Sequence, residues 1–542
     1  MGRELAGPLT QTLSEGDPRK LPEFGPQARL CKRRSAIHSR ITSAALRGVE
    51  AYLIEVEVDL AGGLPTFIVG GLPDAAVMQS QGRVRAALRN SGFEFPSKAV
   101  TVNLAPAHLP KQGPSFDLPI ALAILAAGGH FGQRPLPKVL ILGELGLDGG
   151  LRPVRGVLPS AMAAKRRGLA GLMVPSRNAA EATLVEDLGV YPVTSLPDAV
   201  EKLAGGLHLA DAAARAENLE ESLSGPDLAE VRGQAFARRA LEIAAAGGHN
   251  LLMLGPPGSG KSMLAQRLPS ILPTLDPADA LEVACAYSVA GQLDPGAPLP
   301  RRPPFRAPHH TTSVAGLVGG GSLPRPGELA LAHRGVLFLD ELPEFTRSAL
   351  EALRQPLESG HVILARASGC VTFPAQIQLI AAMNPCPCGY LGDPRRPCTC
   401  PPSTVQRYRG RISGPLIDRF DLAIEVPAVA YAELRGEGGE ESATVRQRVE
   451  AARERQRRRL GEGNRNAELS SRDLGRWAKP DAAGEALLEQ AMQRLGLSAR
   501  GLHRVQRVAR TIADLAGRDR ITPSDLAEAI SYRALDRRQV PS

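Results

Sequence analysis

Residues Asn250–Ser262 read NLLMLGPPGSGKS. Asn250–Leu254 is a short apolar strand. It runs into Gly255-Pro256-Pro257-Gly258-Ser259-Gly260-Lys261-Ser262, and a helix is predicted from Met263. The pattern is G-x-x-x-x-G-K-S in a strand–loop–helix context. Glycines let backbone N–H groups turn inward around phosphate oxygens, and the helix N-terminus adds partial positive charge. The pattern predicts an ATP site in which Lys261 reaches the β- and γ-phosphates and Ser262 ligates Mg²⁺.

Two further strands end in polar residues. Gly335–Leu339 (GVLFL) runs into Asp340-Glu341, and Gln378–Met383 runs into Asn384. Open α/β sheets place their chemistry at such strand ends. Asp340 is expected to hold Mg²⁺ through water and Glu341 to polarise the attacking water. Asn384 is expected to orient that water or sense the γ-phosphate; the plainer reading is a turn-forming Asn before Pro385. Downstream, Arg419 in Pro415–Asp421 (PLIDRFD) is a candidate arginine finger, with Arg407, Arg409 and Arg411 as competitors. Arg500, in the first turn of a predicted helix, is a candidate lid contact to the γ-phosphate.

Working outward, strand and helix patterns alternate from about residue 41. Strands are expected at Ala51–Leu60, Thr66–Val69, Ala99–Leu104, Lys138–Leu142 and Gly171–Val174. Helices are expected at Val77–Ser91, Leu118–Ala127 and Ser160–Gly168. The fold class is α/β. Residues 1–36 read as a polar tail, 37–207 as a first α/β domain and 208–226 as a linker. Residues 227–428 read as the nucleotide-binding core and 429–542 as a helical lid. Lid helices are expected at Thr444–Leu460, Asp481–Leu495, Arg500–Leu515 and Pro523–Tyr532, the last with Thr522 as its cap.

Six segments together resemble the Mg-chelatase-like AAA+ ATPases of the ComM/YifB family. They are GPPGSGKS (255–262), FRAPHHTTSVAGLVGGG (305–321), PGELALAHRGVLFLDELPEF (326–345), LIAAMNPCPCGYLGDP (379–394), GPLIDRFD (414–421) and LSARGLHRVQRVARTIADL (497–515). The resemblance implies a P-loop core with a parallel sheet, sensor 1 at Asn384, the finger at Arg419 and sensor 2 at Arg500. It also implies a ring, hexameric in expectation, and a DNA helicase driving branch migration in natural transformation or recombination. Pore loops are then expected around Phe305–Gly321, with His309 and His310, and at a hairpin around Ile363–Thr372, with Arg366. Such loops would track a DNA backbone; for the histidines, a structural pair or a chance doublet is the alternative.

Residues 37–207 resemble the ChlI/Lon-protease-like domain. Lon proteases pair a Ser nucleophile with a Lys. Ser115 falls at the nucleophile position, but Leu158 falls where the Lys belongs, so the dyad is expected to be broken.

Composition bounds the rest. The 542 residues are 43% hydrophobic and 22% charged, with a net charge of +9 and a pI near 9.4. This suits an anionic partner such as nucleic acid, or an Arg-rich solvated surface. The helix around Arg446–Arg459 admits the same two readings, with intrahelical ion pairs on the plainer one. No run is long and apolar enough to span a membrane. Seven cysteines and no recognisable export signal predict reduced thiols and a cytoplasmic setting. Four of them, Cys386, Cys388, Cys398 and Cys400, crowd one loop and are candidate Zn²⁺ ligands. Three functions compete: a DNA translocase, a chelatase-type motor remodelling a protein partner, and an ATP-dependent peptidase, which Leu158 argues against.

Overall fold

The structure is a computed structural model that describes residues 38–132, 135–207, 225–296, 298–321, 324–366, 369–393, 396–429, 431, 433, 438–461 and 463–533. The expected tail 1–36, most of the linker 208–226, and Cys31 lie outside the described residues.

The N-terminal unit is built on a seven-stranded sheet. Its order is Phe67–Gly70, Ala99–Ala105, Glu50–Ala61, His38–Arg47, Val139–Ile141, Gly171–Pro175, Gly189–Val193. The long central hairpin is antiparallel, its strands pairing from His38 opposite Asp59 to Arg47 opposite Glu50. The expected strands lie within a residue or so of their predicted bounds. The expected helix Val77–Ser91 is two, Ala75–Met78 and Ser80–Asn90. The apolar helix Asp117–Ala127 has nearly every residue buried, as a helix in the middle of a core must.

The second unit holds a five-stranded, wholly parallel sheet. Its order is Phe305–Arg306, Val336–Leu339, Gln378–Met383, Leu251–Leu254, Leu422–Glu425. Alternate residues feed two separate cores. Leu251, Met253, Val336, Phe338, Ile380 and Ala382 face one side. Leu252, Leu254, Leu337, Leu339, Leu379 and Ala381 face the other. Burial on both faces explains why these strands read as continuous apolar runs. The C-terminal ends of three adjacent strands therefore converge on one edge, and that edge carries the phosphate loop, Asp340 and Asn384.

The C-terminal region, expected as a lid, comprises helices Ser442–Leu460, Ser471–Trp477, Ala482–Leu495, Ala499–Leu515 and Pro523–Ser531. It shares one apolar core with the first face of the parallel sheet, through Val445, Val449, Val505, Val508 and Ile512. Thr522 accepts the Asp525 amide and Asp525 returns the bond to Thr522, a complete capping box. The chain then returns to the sheet, where the Ala423 amide donates to Tyr532 O at 2.8 Å.

The two α/β units touch through helices Val157–Arg166 and Pro277–Ala290, with Ala284 and Cys285 joining the core that holds Leu158 and Ala161. Glu181 anchors the contact. Its carboxylate accepts the Leu158 amide at 3.0 Å, the Asn178 side chain at 3.3 Å and the Ser288 hydroxyl.

Candidate nucleotide site

The phosphate loop leaves strand Leu251–Leu254 and enters helix Lys261–Ile271. Gly260 immediately precedes that helix with φ +87°, a backbone that L side chains rarely adopt. Gly255 is required by proximity: a Cβ there would lie 2.1 Å from Val426 O. Lys261 is almost wholly buried. Its Nζ donates to Gly255 O and Pro256 O, both at 2.8 Å, and lies 3.4 Å from Asn384 Oδ1. Burial lowers its pKa, while the Asp340 and Glu341 charges pull it back up.

Ser262 Oγ donates to Asp340 Oδ2 at 2.5 Å, and Asp340 Oδ1 accepts the Glu341 amide at 2.9 Å. A hydroxyl and a carboxylate brought this close are the hard oxygen donors that suit Mg²⁺, so these two side chains fit the ion. Glu341 has φ +51°, an unfavourable left-handed backbone for a residue with a side chain. Such backbone strain clusters at functional positions. Its Oε2 lies 3.1 Å from His310 Nδ1.

That contact sets His310 beside the acid expected to polarise the attacking water. The rings of His309 and His310 lie against each other, tilted by 34° with centroids 4.1 Å apart. His309 turns to Thr311 Oγ1 at 2.8 Å, whereas His310 is directed at Glu341. Arg366 lies at the tip of the hairpin His361–Arg366/Gly369–Pro374, and a Cβ on Gly320 would sit 3.6 Å from its Nη2. The two segments expected as pore loops are thus neighbours.

Arg419 pairs with Glu358 at 2.9 Å, and its carbonyl accepts the Asn250 side chain at 2.9 Å. Arg411 binds Glu344 at 2.9 Å, and Arg409 donates twice to Pro385 O. Arg500 is exposed in the first turn of Ala499–Leu515. Among the described residues neither Arg419 nor Arg500 bonds to the phosphate loop of its own chain. Two links between core and lid escaped the sequence reading. Arg504 reaches Asp418 at 2.8 Å. Buried His249 bridges Asp421 at 3.1 Å and Thr511 at 2.8 Å. Each joins segments distant in sequence, so no local pattern signals it.

In the N-terminal unit Ser115 lines a cavity of about 610 Å³ together with Gln112, Arg155 and Arg325. Leu158 is fully buried in the domain contact. Lys111, also fully buried, gives its ammonium to Pro106 O.

Fold and site define a Mg-chelatase-like AAA+ protein with a Lon-like N-terminal region. Three family models match: "Magnesium chelatase, subunit ChlI" over 227–434, "Subunit ChlI of Mg-chelatase" over 56–178, and "Magnesium chelatase, subunit ChlI C-terminal" over 439–533. The chain is 47% identical to Competence protein ComM of Haemophilus influenzae over 503 residues, 92% of this chain and 97% of that protein. It is 45% identical to YifB of Escherichia coli over 506 residues, 93% and 97% of the two chains. A Lon protease of Mycolicibacterium smegmatis is 27% identical over 212 residues, 37% of this chain and 26% of its own length. The chain belongs to the ComM/YifB family.

Proposed function

We propose that the protein is a ring-forming, Mg²⁺-dependent ATPase that moves along DNA and promotes branch migration. The observation that carries the ATPase is the meeting of Lys261, Ser262, Asp340, Glu341 and Asn384 at one sheet edge, with the contacts given above. On this reading Lys261 exchanges its loop carbonyls for the β- and γ-phosphates. Ser262 and Asp340 would hold Mg²⁺, and the ion would supply positive charge opposite that building on the phosphates. Glu341 accepts the proton of the attacking water, and Asn384 orients that water. Arg419 serves the site of the neighbouring subunit, and Arg500 closes from the lid. Arg419 is held by Glu358 at 2.9 Å on its own chain, a contact it would exchange for the neighbour's nucleotide.

DNA as the track rests on three supports: the net charge of +9, the adjacency of Arg366 to the Gly320 loop, and likeness to a protein named for competence. The runner-up is a chelatase-type motor acting on a protein, which the names of the matching families favour. A peptidase is disfavoured, because Leu158 offers no amine. The test is the steady-state ATPase rate with and without single-stranded and branched DNA, with Glu341→Gln as control. Stimulation by DNA supports the translocase. A rate indifferent to DNA, yet abolished by Glu341→Gln, directs the search to protein clients.

A further inference from the structure

Between Met383 and Pro402 the described chain has neither helix nor strand. A stretch of that length inside a compact domain needs something besides backbone pairing to fix it. Four cysteines supply the means. The sulfurs of Cys386, Cys388, Cys398 and Cys400 all lie within 4.8 Å of one another. Cys386 is 3.4 Å from Cys388 and 3.6 Å from Cys398, and Cys388 is 3.6 Å from Cys398. A disulfide needs about 2.05 Å. A tetrahedral site with Zn–S near 2.3 Å puts its sulfurs about 3.8 Å apart, close to the separations here. The Cys400 amide points at Cys398 Sγ at 3.4 Å, a donor suited to a thiolate. No other group of three or more His, Cys, Asp or Glu converges in this way among the described residues.

The position of this knot gives it a second meaning. Cys386 is buried and lies two residues beyond Asn384, whose Oδ1 is 3.4 Å from Lys261 Nζ. The intervening Pro385 carbonyl is clamped by two bonds from Arg409, at 3.1 and 3.0 Å. On the other side Gly389 lies against the phosphate loop: a Cβ there would be 2.6 Å from Pro257 Cδ. The loop is thus wedged between the residue expected to sense the γ-phosphate and the backbone expected to cradle it.

We propose that the four cysteines bind one Zn²⁺, and that this ion is a positioning element of the nucleotide site, holding Asn384 and the Pro257 face of the phosphate loop in register. Soft thiolates in a tetrahedral set select zinc over the Mg²⁺ of the neighbouring oxygen site. The coupling rests on the proposed nucleotide reading; the metal site does not.

The experiment uses the full chain. Bound metal is counted by mass spectrometry on wild type, on the Cys398→Ser/Cys400→Ser double variant, and on Cys370→Ser as a control outside the knot. Affinity for a fluorescent ATP analogue and the ATPase rate are measured on each. One zinc per chain is expected in wild type and in Cys370→Ser, and none in the double variant. Nucleotide affinity or turnover is expected to fall about tenfold or more, the usual penalty for a misplaced catalytic group. Zinc is also stripped from wild type with a mercurial and returned after thiol, which tests the coupling without a variant that fails to fold; recovery of affinity with zinc is expected. Absence of zinc from wild type, or iron in its place, overturns the site. Zinc that can be removed with no change in affinity or rate overturns the coupling. A zinc-loaded wild type that binds no nucleotide overturns both the nucleotide reading and the coupling built on it, and leaves the metal site standing.

Discussion

Glu341 carries its carboxylate on a left-handed backbone and shares one oxygen with His310. Glu341→Gln keeps the shape but not the base. It should abolish turnover while a fluorescent ATP analogue still binds; lost binding would mean the residue is needed for shape. His310→Ala frees the carboxylate without touching the phosphate loop. It should lower kcat about tenfold with KM little changed, the signature of a group acting in the transition state. A change confined to KM would place His310 on substrate instead. At this scale the sequence was informative where chemistry follows the chain. The phosphate loop, Asp340, Glu341 and Asn384 sit at strand ends that apolar runs announce. The partner of Glu341 was not legible, because His310 reaches it across the sheet edge from another strand's end.

At the scale of elements, the Arg-rich helix Ser442–Leu460 is spent on the fold. Arg448 binds Glu242 and Glu440, Arg453 donates to Ala245 O, and Arg459 binds Asp514. Only its far end shows the exposed intrahelical pairs that periodicity suggests, Arg457 and Arg458 with Glu454. The two kinds differ in weight. Arg459→Ala takes one of two arginines from buried Asp514, which keeps Arg510 at 2.9 Å and Asn466 at 2.8 Å, and should cost about 2 kcal/mol, whereas Arg458→Ala should leave the denaturation midpoint unmoved. Thr522→Ala, which removes the capping box, should cost about 1 kcal/mol. Chemical denaturation of the three variants checks the order. The edge strand Gly189–Val193 was not anticipated: Pro192 argues against a strand, but at a sheet edge its missing N–H leaves no gap. The helix Ser471–Trp477 was missed because it is too short to show a period.

Across the whole molecule, Glu181 makes one of the polar links that hold the two α/β units together. Its pKa is raised, burial being the first cause, while hydrogen bonds from Ser288 and the Leu158 amide act against it. A carboxyl with a raised native pKa takes up its proton more readily folded than unfolded. Its stabilising contribution is complete below the ordinary carboxylate range and is lost as pH rises through the native value. The melting midpoint of wild type should therefore fall relative to Glu181→Gln as pH climbs through the weakly acidic range. Parallel pH profiles would show that Glu181 is not the group responsible. Nothing in the sequence foretells this contact, because it joins a helix near residue 181 to one near 288.

Gly48 turns the chain between the two long strands of the N-terminal sheet, at φ +67°, and a Cβ there would lie 2.4 Å from Thr372 O in the hairpin of the other unit. Arg47 beside it donates twice to Cys370 O, at 3.2 and 3.0 Å. The evolutionary consequence is that residue 48 answers to a neighbour more than three hundred positions away. A lineage that shortened or re-angled that hairpin would release residue 48 to drift, and one that placed a side chain at 48 would need a matching change opposite 372. A graft of either unit from a distant relative should therefore fail first at this turn, where its backbone must fit the other unit's hairpin.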